Sequence, residues 1–319
     1  MKTIIPVFVV SDNQYAHLVS TTLISIMENT KSQINFNVID TGISEQNKNK
    51  ILKDSSKYKN LSINFIPFSL DKFNGFPQEK SYVSKTAYAR FWIPAFASAF
   101  DKVIYTDVDV IFTRDIKELY NEDLGTYTIG AVPDAMYKLN KTLNNYQKRL
   151  DISPQHEFFY SGLLLFNIKE FNRLNMLDKL IGVVNKYKTS LLQCDQDVLN
   201  KTFENNYKAL SPKYVVTSEY LDNINLFNDD NIKRELNNMV IRHYAGKNKP
   251  WNSNIPIQNR ELWWKYASMS IFYDEIIAQF QKKLKLKNFY IIFRKILKVL
   301  PYLLVEKHIK IIQEKINAI

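Results

Sequence analysis

The segment KVIYTDVDVIFTRDI, residues 102–116, decides how this chain is read. An apolar, β-branched run, Val103-Ile104-Tyr105, ends in Asp107-Val108-Asp109. Two carboxylates one residue apart at the exit of a strand can both reach one hard cation, and such a cation can neutralise a diphosphate leaving group. Acidic pairs at strand ends are common, so the segment draws its meaning from IRHYAGKNKPW at 241–251. There His243 offers a third metal ligand, Gly246 a close backbone approach and Lys249 a phosphate partner. Together the two segments imply a metal-dependent enzyme that works on a nucleotide diphosphate sugar.

Outward from this stretch the pattern is α/β. Apolar strands at 3–10 (TIIPVFVV), 34–40 (INFNVID) and 61–68 (LSINFIPF) alternate with helical patterns, one through about Asn29 and one over Glu45–Lys57. Such alternation is the mark of right-handed βαβ units in a parallel sheet. Residues 84–99 read as a helix leading into the strand at 102–106, with further strands at 127–132 and 163–167. Ligands of doubly wound sheets sit at the carboxyl ends of strands, which places Ser11-Asp12-Asn13-Gln14-Tyr15 and the acidic pair on one rim. Further along, 195–205 reads as a helix with an acidic first turn. Strand-like pieces follow at 213–217 and 239–243, then a helix or helix pair at 261–280 whose Trp263 and Trp264 read as core.

A chain of 319 residues suits one large α/β domain, or a core domain with an appendage. Its 7 Gly and 10 Pro leave little room for flexible linkers. The one cysteine, Cys194, excludes an intrachain disulfide, suits a reducing compartment and reads as a small buried hydrophobe. The first residues meet a polar position too soon for a secretory apolar core, so a cytoplasmic location is expected.

The net charge of +11 is unevenly placed. Residues 281–319 hold ten Lys or Arg against Glu306 and Glu314, a net +8 that leaves only +3 for residues 1–280. In this tail Phe289, Ile292, Phe293, Ile296 and Leu300 recur at helical spacing, Pro301 interrupts, and Val305, Ile309, Ile312 and Ile316 begin a second stripe. Charges break any run of the ~18–20 apolar residues that a membrane span needs. An amphipathic helix pair lying on an anionic membrane surface is therefore expected, peripheral on the inner face of the cell membrane. The alternative is a basic helical subdomain packed on the core or on another subunit. No aromatic stacking platform or recognition motif accompanies the charge, so nucleic acid is not an expected partner. The chain divides into a catalytic domain, 1–265, and a helical C-terminal region, 266–319, basic and amphipathic from about 281.

In this order the motifs resemble glycosyltransferase family 8, retaining enzymes that include bacterial lipopolysaccharide galactosyl- and glucosyltransferases, over roughly residues 3–265. The resemblance implies a Rossmann-like A-type glycosyltransferase fold with a mixed central sheet. It also implies a UDP-hexose donor, glucose or galactose, and an oligosaccharide or lipid-linked glycan acceptor. Asp12 would accept a hydrogen bond from the uracil ring, Tyr15 would stack on that ring, and Arg90, in Ala87-Tyr88-Ala89-Arg90, would contact the donor. Asp107, Asp109 and His243 would hold the cation, Mn²⁺ by preference with Mg²⁺ able to substitute. Two carboxylates ~4 Å apart repel by roughly 4 kcal/mol at an effective dielectric near 20, a cost that a divalent cation removes. Gly246 and Lys249 would hold the diphosphate. Asp195-Gln196-Asp197 resembles the family's segment beside the anomeric carbon, where Asp195 would bind sugar hydroxyls and stabilise an oxocarbenium-like transition state while Gln196 lies under the reacting face.

One position departs from that pattern. In Phe158-Phe159-Tyr160-Ser161-Gly162, Tyr160 stands where relatives commonly carry an Asn that would contact the donor sugar, which leaves glucose and galactose both open. Asp134, after another strand, is a candidate for the acceptor side. A haloacid-dehalogenase-like phosphatase would also place Asp-x-Asp after a strand, but it leaves HYAGKNKPW without a role, and Ile111 stands where a small residue is usual. A sugar-nucleotide-binding protein without turnover is the second alternative. Retention of Asp195, Gln196 and the candidate metal ligands weighs against it.

Overall fold

In the computed structural model, which describes residues 3–77, 85–134, 137, 144–227, 229–252 and 255–283, the first strand is buried on both faces. Val7 and Val9 join one apolar cluster and Phe8 the other, as a continuous β-branched run requires when helices cover both sides of a sheet. The strands in chain order are β1 (Ile4–Ser11), β2 (Gln33–Asp40), β3 (Leu61–Pro67), β4 (Lys102–Thr106), β5 (Val110–Phe112), β6 (Ile129–Pro133), β7 (Phe159–Asn167), β8 (Tyr207–Ala209) and β9 (Ile241–His243). Seven of them form one sheet in the order β3-β2-β1-β4-β7-β6-β8, and β5 pairs with β9 beside it. β1 to β4 are parallel, β7 runs antiparallel to both β4 and β6, and β8 is parallel to β6. Hydrophobic periodicity marks β6 and β7 as strands without giving their direction. The reversal at β7 makes the sheet mixed.

Six helices matter for the site: α1 (Ala16–Asn29), α2 (Glu45–Ser55), α3 (Met176–Tyr187), α4 (Asp195–Thr202), α5 (Arg260–Ala267) and α6 (Tyr273–Lys283). α1 lies under the acidic segment, and its polar residues face inward for a reason. Thr22 Oγ1 donates to the carbonyls of Val108 and Val110 at 2.8 and 3.0 Å, Ser25 Oγ accepts from Phe112 N at 3.0 Å, and Asn29 Nδ2 donates to Phe112 O at 3.0 Å. This stripe satisfies backbone groups of Val108–Phe112 that would otherwise be buried unpaired. It thereby fixes where Asp109 starts.

Two expectations change in detail, and a third is decided between its two readings. Residues 85–92 form a 3₁₀ run followed by one short α turn, Ile93–Phe96, with Pro94 at its start. The piece at 213–217 is a 3₁₀ turn, Pro212–Tyr214, from which only Val216 bridges to Arg242. Pro212 lacks a backbone N–H and pre-sets a turn φ. The segment 261–280 is a pair of helices, α5 and α6, separated at Ser268–Phe272.

α6 docks firmly: Phe272 and Ile276 join the same cluster as α1, Phe280 packs on Trp264 at 5.3 Å, and Glu275 pairs with Lys50 on α2. Trp263 is fully buried. The tail's apolar stripes and all its charges from 284 onward lie outside the described residues. Among those described, no helix is long and apolar enough to cross a membrane.

Candidate active site

Asp107 and Asp109 occupy the turn between β4 and β5. Asp107 N donates to Gly162 O on β7, Tyr244 N donates to Asp109 O, both at 2.9 Å, and Val110 stands opposite His243 in the β5–β9 ladder. Three distant segments thus converge. One ligand atom from each of Asp107, Asp109 and His243 lies within 4.8 Å of the others. His243 Nε2 is 3.2 Å from Asp109 Oδ1 and 3.8 Å from Asp107 Oδ2.

The outer oxygens of both carboxylates are already engaged. Asp107 Oδ1 accepts the Tyr105 hydroxyl and sits 3.1 Å from Arg90 Nη2, while Asp109 Oδ2 is paired with Lys249 Nζ. Each acid therefore keeps one anchored oxygen and turns the other toward His243. Burial opposes ionisation of Asp109, yet Lys249 and His243 outweigh it and hold the carboxyl well below the usual range. A mixed oxygen and imidazole set of this kind fits a divalent transition cation. Gly162 lets these side chains approach one another. A Cβ there would lie 2.5 Å from His243 Cε1 and 2.8 Å from Asp107 Oδ2.

Arg90 sits behind this cluster. It is 5% exposed and fully engaged: Nε donates to Ala87 O at 2.8 Å, Nη1 to Ser161 O at 2.7 Å, and Nη1 also lies 3.2 Å from Asp195 Oδ2. Its guanidinium covers the Tyr105 ring at 4.6 Å. Arg90 thus joins Asp107 to Asp195 from inside the protein. Asp195 opens α4 after Cys194, whose φ is +49°. Burial pushes the Asp195 carboxyl above its ordinary value, with Arg90 opposing.

Gln196 Oε1 accepts from Ser161 N and Oγ at 3.1 and 3.3 Å. Asp197 turns the other way and accepts from Arg149 Nη1, Leu192 N and Gln193 N at 2.7–2.9 Å, which ties down the loop before α4. Asn200 exchanges hydrogen bonds with the Phe159 backbone, both 2.9 Å. α4 is riveted to β7.

At the end of β1, Asp12 Oδ1 accepts from Gln14 N and Tyr15 N at 2.9 and 3.2 Å, a capped turn that leaves its second oxygen available. Half-burial, then the charges of Asp12 and Asp109, raise the Tyr15 phenol. Lys249 Nζ also donates to Tyr244 O at 2.7 Å. Gly246 has φ +83°, and an added Cβ would meet nothing within 4 Å, so the left-handed backbone is what calls for glycine there. Tyr160 is buried on β7, edge-on to Tyr220 at 5.9 Å. Asp134 is also buried, its N–H donating to Phe158 O at 2.6 Å.

Sequence reasoning assigned no role to Tyr105, Ser161, Gly162 or Arg242. A glycine inside a buried strand is a signal of close approach, so Gly162 carried a legible cue. Arg242 carried none.

The model of glycosyl transferase family 8 matches residues 6–255. A putative glycosyltransferase of Haemophilus influenzae is 30% identical over 242 residues, 76% of this chain and 71% of that protein. General stress protein A of Bacillus subtilis is 25% identical over 268 residues, covering 81% and 91% of the two chains. Among solved structures, the galactosyltransferase LgtC in complex with donor and acceptor sugar analogs has a TM-score of 0.74 at 25% identity, covering 84% of this chain and 96% of that one. The fold is accordingly the Rossmann-like A-type glycosyltransferase fold with a mixed central sheet. This chain belongs to glycosyl transferase family 8 and is a glycosyltransferase.

Proposed function

We propose that this glycosyltransferase moves glucose or galactose from a UDP-sugar to an oligosaccharide or lipid-linked glycan, with retention and with a divalent cation, Mn²⁺ before Mg²⁺. The acceptor would belong to cell-surface polysaccharide or lipopolysaccharide synthesis. The observation that carries this reading is the cluster in which Asp107, Asp109 and His243 turn one ligand atom each toward a shared point, all within 4.8 Å. A cation held there neutralises charge on a departing diphosphate.

The remaining work falls to the chain itself. Lys249 and the Gly246 backbone hold the diphosphate, while Asp12 reads the uracil N–H and Tyr15 stacks on the base. Asp195, paired with Arg90, stabilises positive charge at the anomeric carbon, and Gln196 lies beneath the reacting face. The acceptor hydroxyl passes its proton to the leaving diphosphate on the same face, which retains configuration. That LgtC was solved with donor and acceptor sugar analogs supports a two-sugar site on this fold.

The test is UDP release from UDP-glucose and UDP-galactose with Mn²⁺ and with EDTA. Release from one sugar that disappears on chelation is expected. Donor binding without release, acceptors included, would favour a sugar-nucleotide-binding protein without turnover, and absence of donor binding would sink the reading.

For the C-terminal region, 266–319, the reading is a helical appendage to the catalytic domain, 1–265. Its basic stripes from about 281 would meet an anionic membrane surface on the cytoplasmic side. Removal of residues 284–319, which spares α6, should lower sedimentation with anionic vesicles at low salt while leaving UDP release near the full-chain value. Unchanged sedimentation would reject the membrane role.

A further inference from the structure

His243 is the candidate ligand carried on β9, and among the described residues its ring has no acceptor behind it: Nδ1 is buried without a hydrogen-bond partner there. A metal-binding imidazole is ordinarily aimed by a hydrogen bond at its second nitrogen. Here the aim has to come from the backbone. β9 is three residues long and pairs with a three-residue β5, which is little anchorage by itself.

The residue before His243 is Arg242, one of the largest fully buried side chains. Among the described residues no carboxylate pairs with it. Its two terminal nitrogens donate instead to neutral groups on three segments, while Nε has no hydrogen-bond partner among the described residues. Nη1 donates to Val216 O and His243 O, both at 2.8 Å, and Nη2 to Ser218 Oγ at 2.7 Å and Gln258 O at 3.1 Å. Val216 O also accepts from His243 N at 3.0 Å, so the His243 peptide is held on both sides. The guanidinium lies 4.7 Å over the Tyr244 ring, and the Tyr244 hydroxyl donates to Asn259 O.

Between β9 and Gln258 runs the stretch that carries Gly246, Lys249 and Trp251. Arg242 and Tyr244 close the base of that loop onto the strand that presents His243. Burying an unpaired guanidinium is costly, and a core methionine or leucine would fill the space without that cost. Neutral filler, however, offers no donor to three separate carbonyls.

We propose that Arg242, with Tyr244, is a positioning residue: the pair clasps the stretch that carries Gly246, Lys249 and Trp251 to β9, so that His243 and Lys249 keep their places relative to Asp107 and Asp109. The proposal rests on the site reading given under Proposed function. It separates two duties. Arg242 holds His243 directly, so it governs cation affinity. Tyr244 holds the far end of the loop through Asn259, so its hydroxyl governs the Lys249 side and hence donor affinity.

The experiment uses the full chain, Arg242→Lys and Tyr244→Phe. Mn²⁺ affinity is read by electron paramagnetic resonance titration without donor, and donor KM and kcat are read at saturating Mn²⁺. Arg242→Lys keeps the charge but loses the fork and is expected to weaken Mn²⁺ by about 10-fold or more, the usual cost of losing a group that orients a ligand. Tyr244→Phe is expected to raise donor KM several-fold with Mn²⁺ affinity close to wild type. A lower melting temperature with wild-type Mn²⁺ affinity and KM in both variants would reduce the pair to packing and overturn the proposal. If Arg242→Lys does not fold, the KM of Tyr244→Phe decides. A wild-type protein that binds no Mn²⁺ would instead overturn the site reading itself, a separate outcome from a wild type that binds it and variants that bind it equally.

Discussion

Gly162→Ala is expected to abolish metal-dependent UDP release as completely as Asp109→Asn, although alanine adds one methyl group far from any charge change. The φ of Gly162 is not in the left-handed region, so backbone strain plays no part. The added Cβ would stand 2.5 Å from His243 Cε1, 2.8 Å from Asp107 Oδ2 and 3.2 Å from His243 Nδ1. Real Cβ contacts essentially never fall below 3.0 Å, so ring and carboxylate must each give way.

Neither is free to do so. His243 is 5% exposed, and Asp107 is fixed through Tyr105 and Arg90. Displacing reacting groups by about 1 Å typically costs around 10²-fold in rate. Two of the candidate ligands move at once here, so a loss of about 10³-fold or more is expected, with Mn²⁺ affinity falling in parallel. The fold should survive at a cost of about 1–3 kcal/mol, the usual range for an overpacked core. Calorimetric Mn²⁺ titration beside a thermal melt checks both numbers. A folded Gly162→Ala protein with wild-type Mn²⁺ affinity would show that the cation does not sit between Asp107 and His243.

Arg90→Gln should be the second severe variant, and it should fail in a different way. Arg90 bridges Asp107 Oδ1 and Asp195 Oδ2 at 3.1 and 3.2 Å from within the core. Removing one partner of a buried ion pair typically costs about 3–5 kcal/mol, because the other charge stays buried without compensation. The pH dependence has a definite sign. Burial already raises the Asp195 carboxyl and Arg90 opposes that rise, so the variant's Asp195 titrates higher still.

If the ionised form of Asp195 serves the reaction, the acid limb of the kcat profile moves to higher pH in Arg90→Gln. Stability moves in the matching sense. A native pKa above the unfolded one means that the folded state binds the extra proton, so the variant loses stability as pH rises from the unfolded toward the native value. Denaturant unfolding at acid and neutral pH measures this. Arg90→Lys should fall between, since a single ammonium cannot serve Asp107, Asp195 and the carbonyls of Ala87 and Ser161 together. An unshifted acid limb in Arg90→Gln would remove Asp195 from the role given to it.

The strands through β4 and the helices α1 and α2 were legible because short apolar runs alternate with stretches of helix length; β1 and β4 are buried on both faces, while β3, at the sheet edge, is partly exposed. The Asp107-Val108-Asp109 and His243 to Trp251 segments were legible because chemistry restricts which residue types can hold a cation or a diphosphate. The direction of β7 was not. An antiparallel strand buried on both faces carries the same apolar run as a parallel one, and only its pairing with β4 and β6 decides which way it runs.

Local sequence by itself therefore determined the αβ alternation, the rim on which the polar residues gather and the identity of the groups that can do chemistry there. Tertiary structure alone decided which oxygen of each carboxylate is anchored and which faces His243, that Arg90 lies behind the site as a bridge, that Gly162 leaves room for Asp107 beside His243, and that Arg242 serves the backbone of β9. Each of these depends on distances between segments far apart in the chain. Residue type sets what a side chain can bond, whereas packing sets which of those bonds it is left free to make.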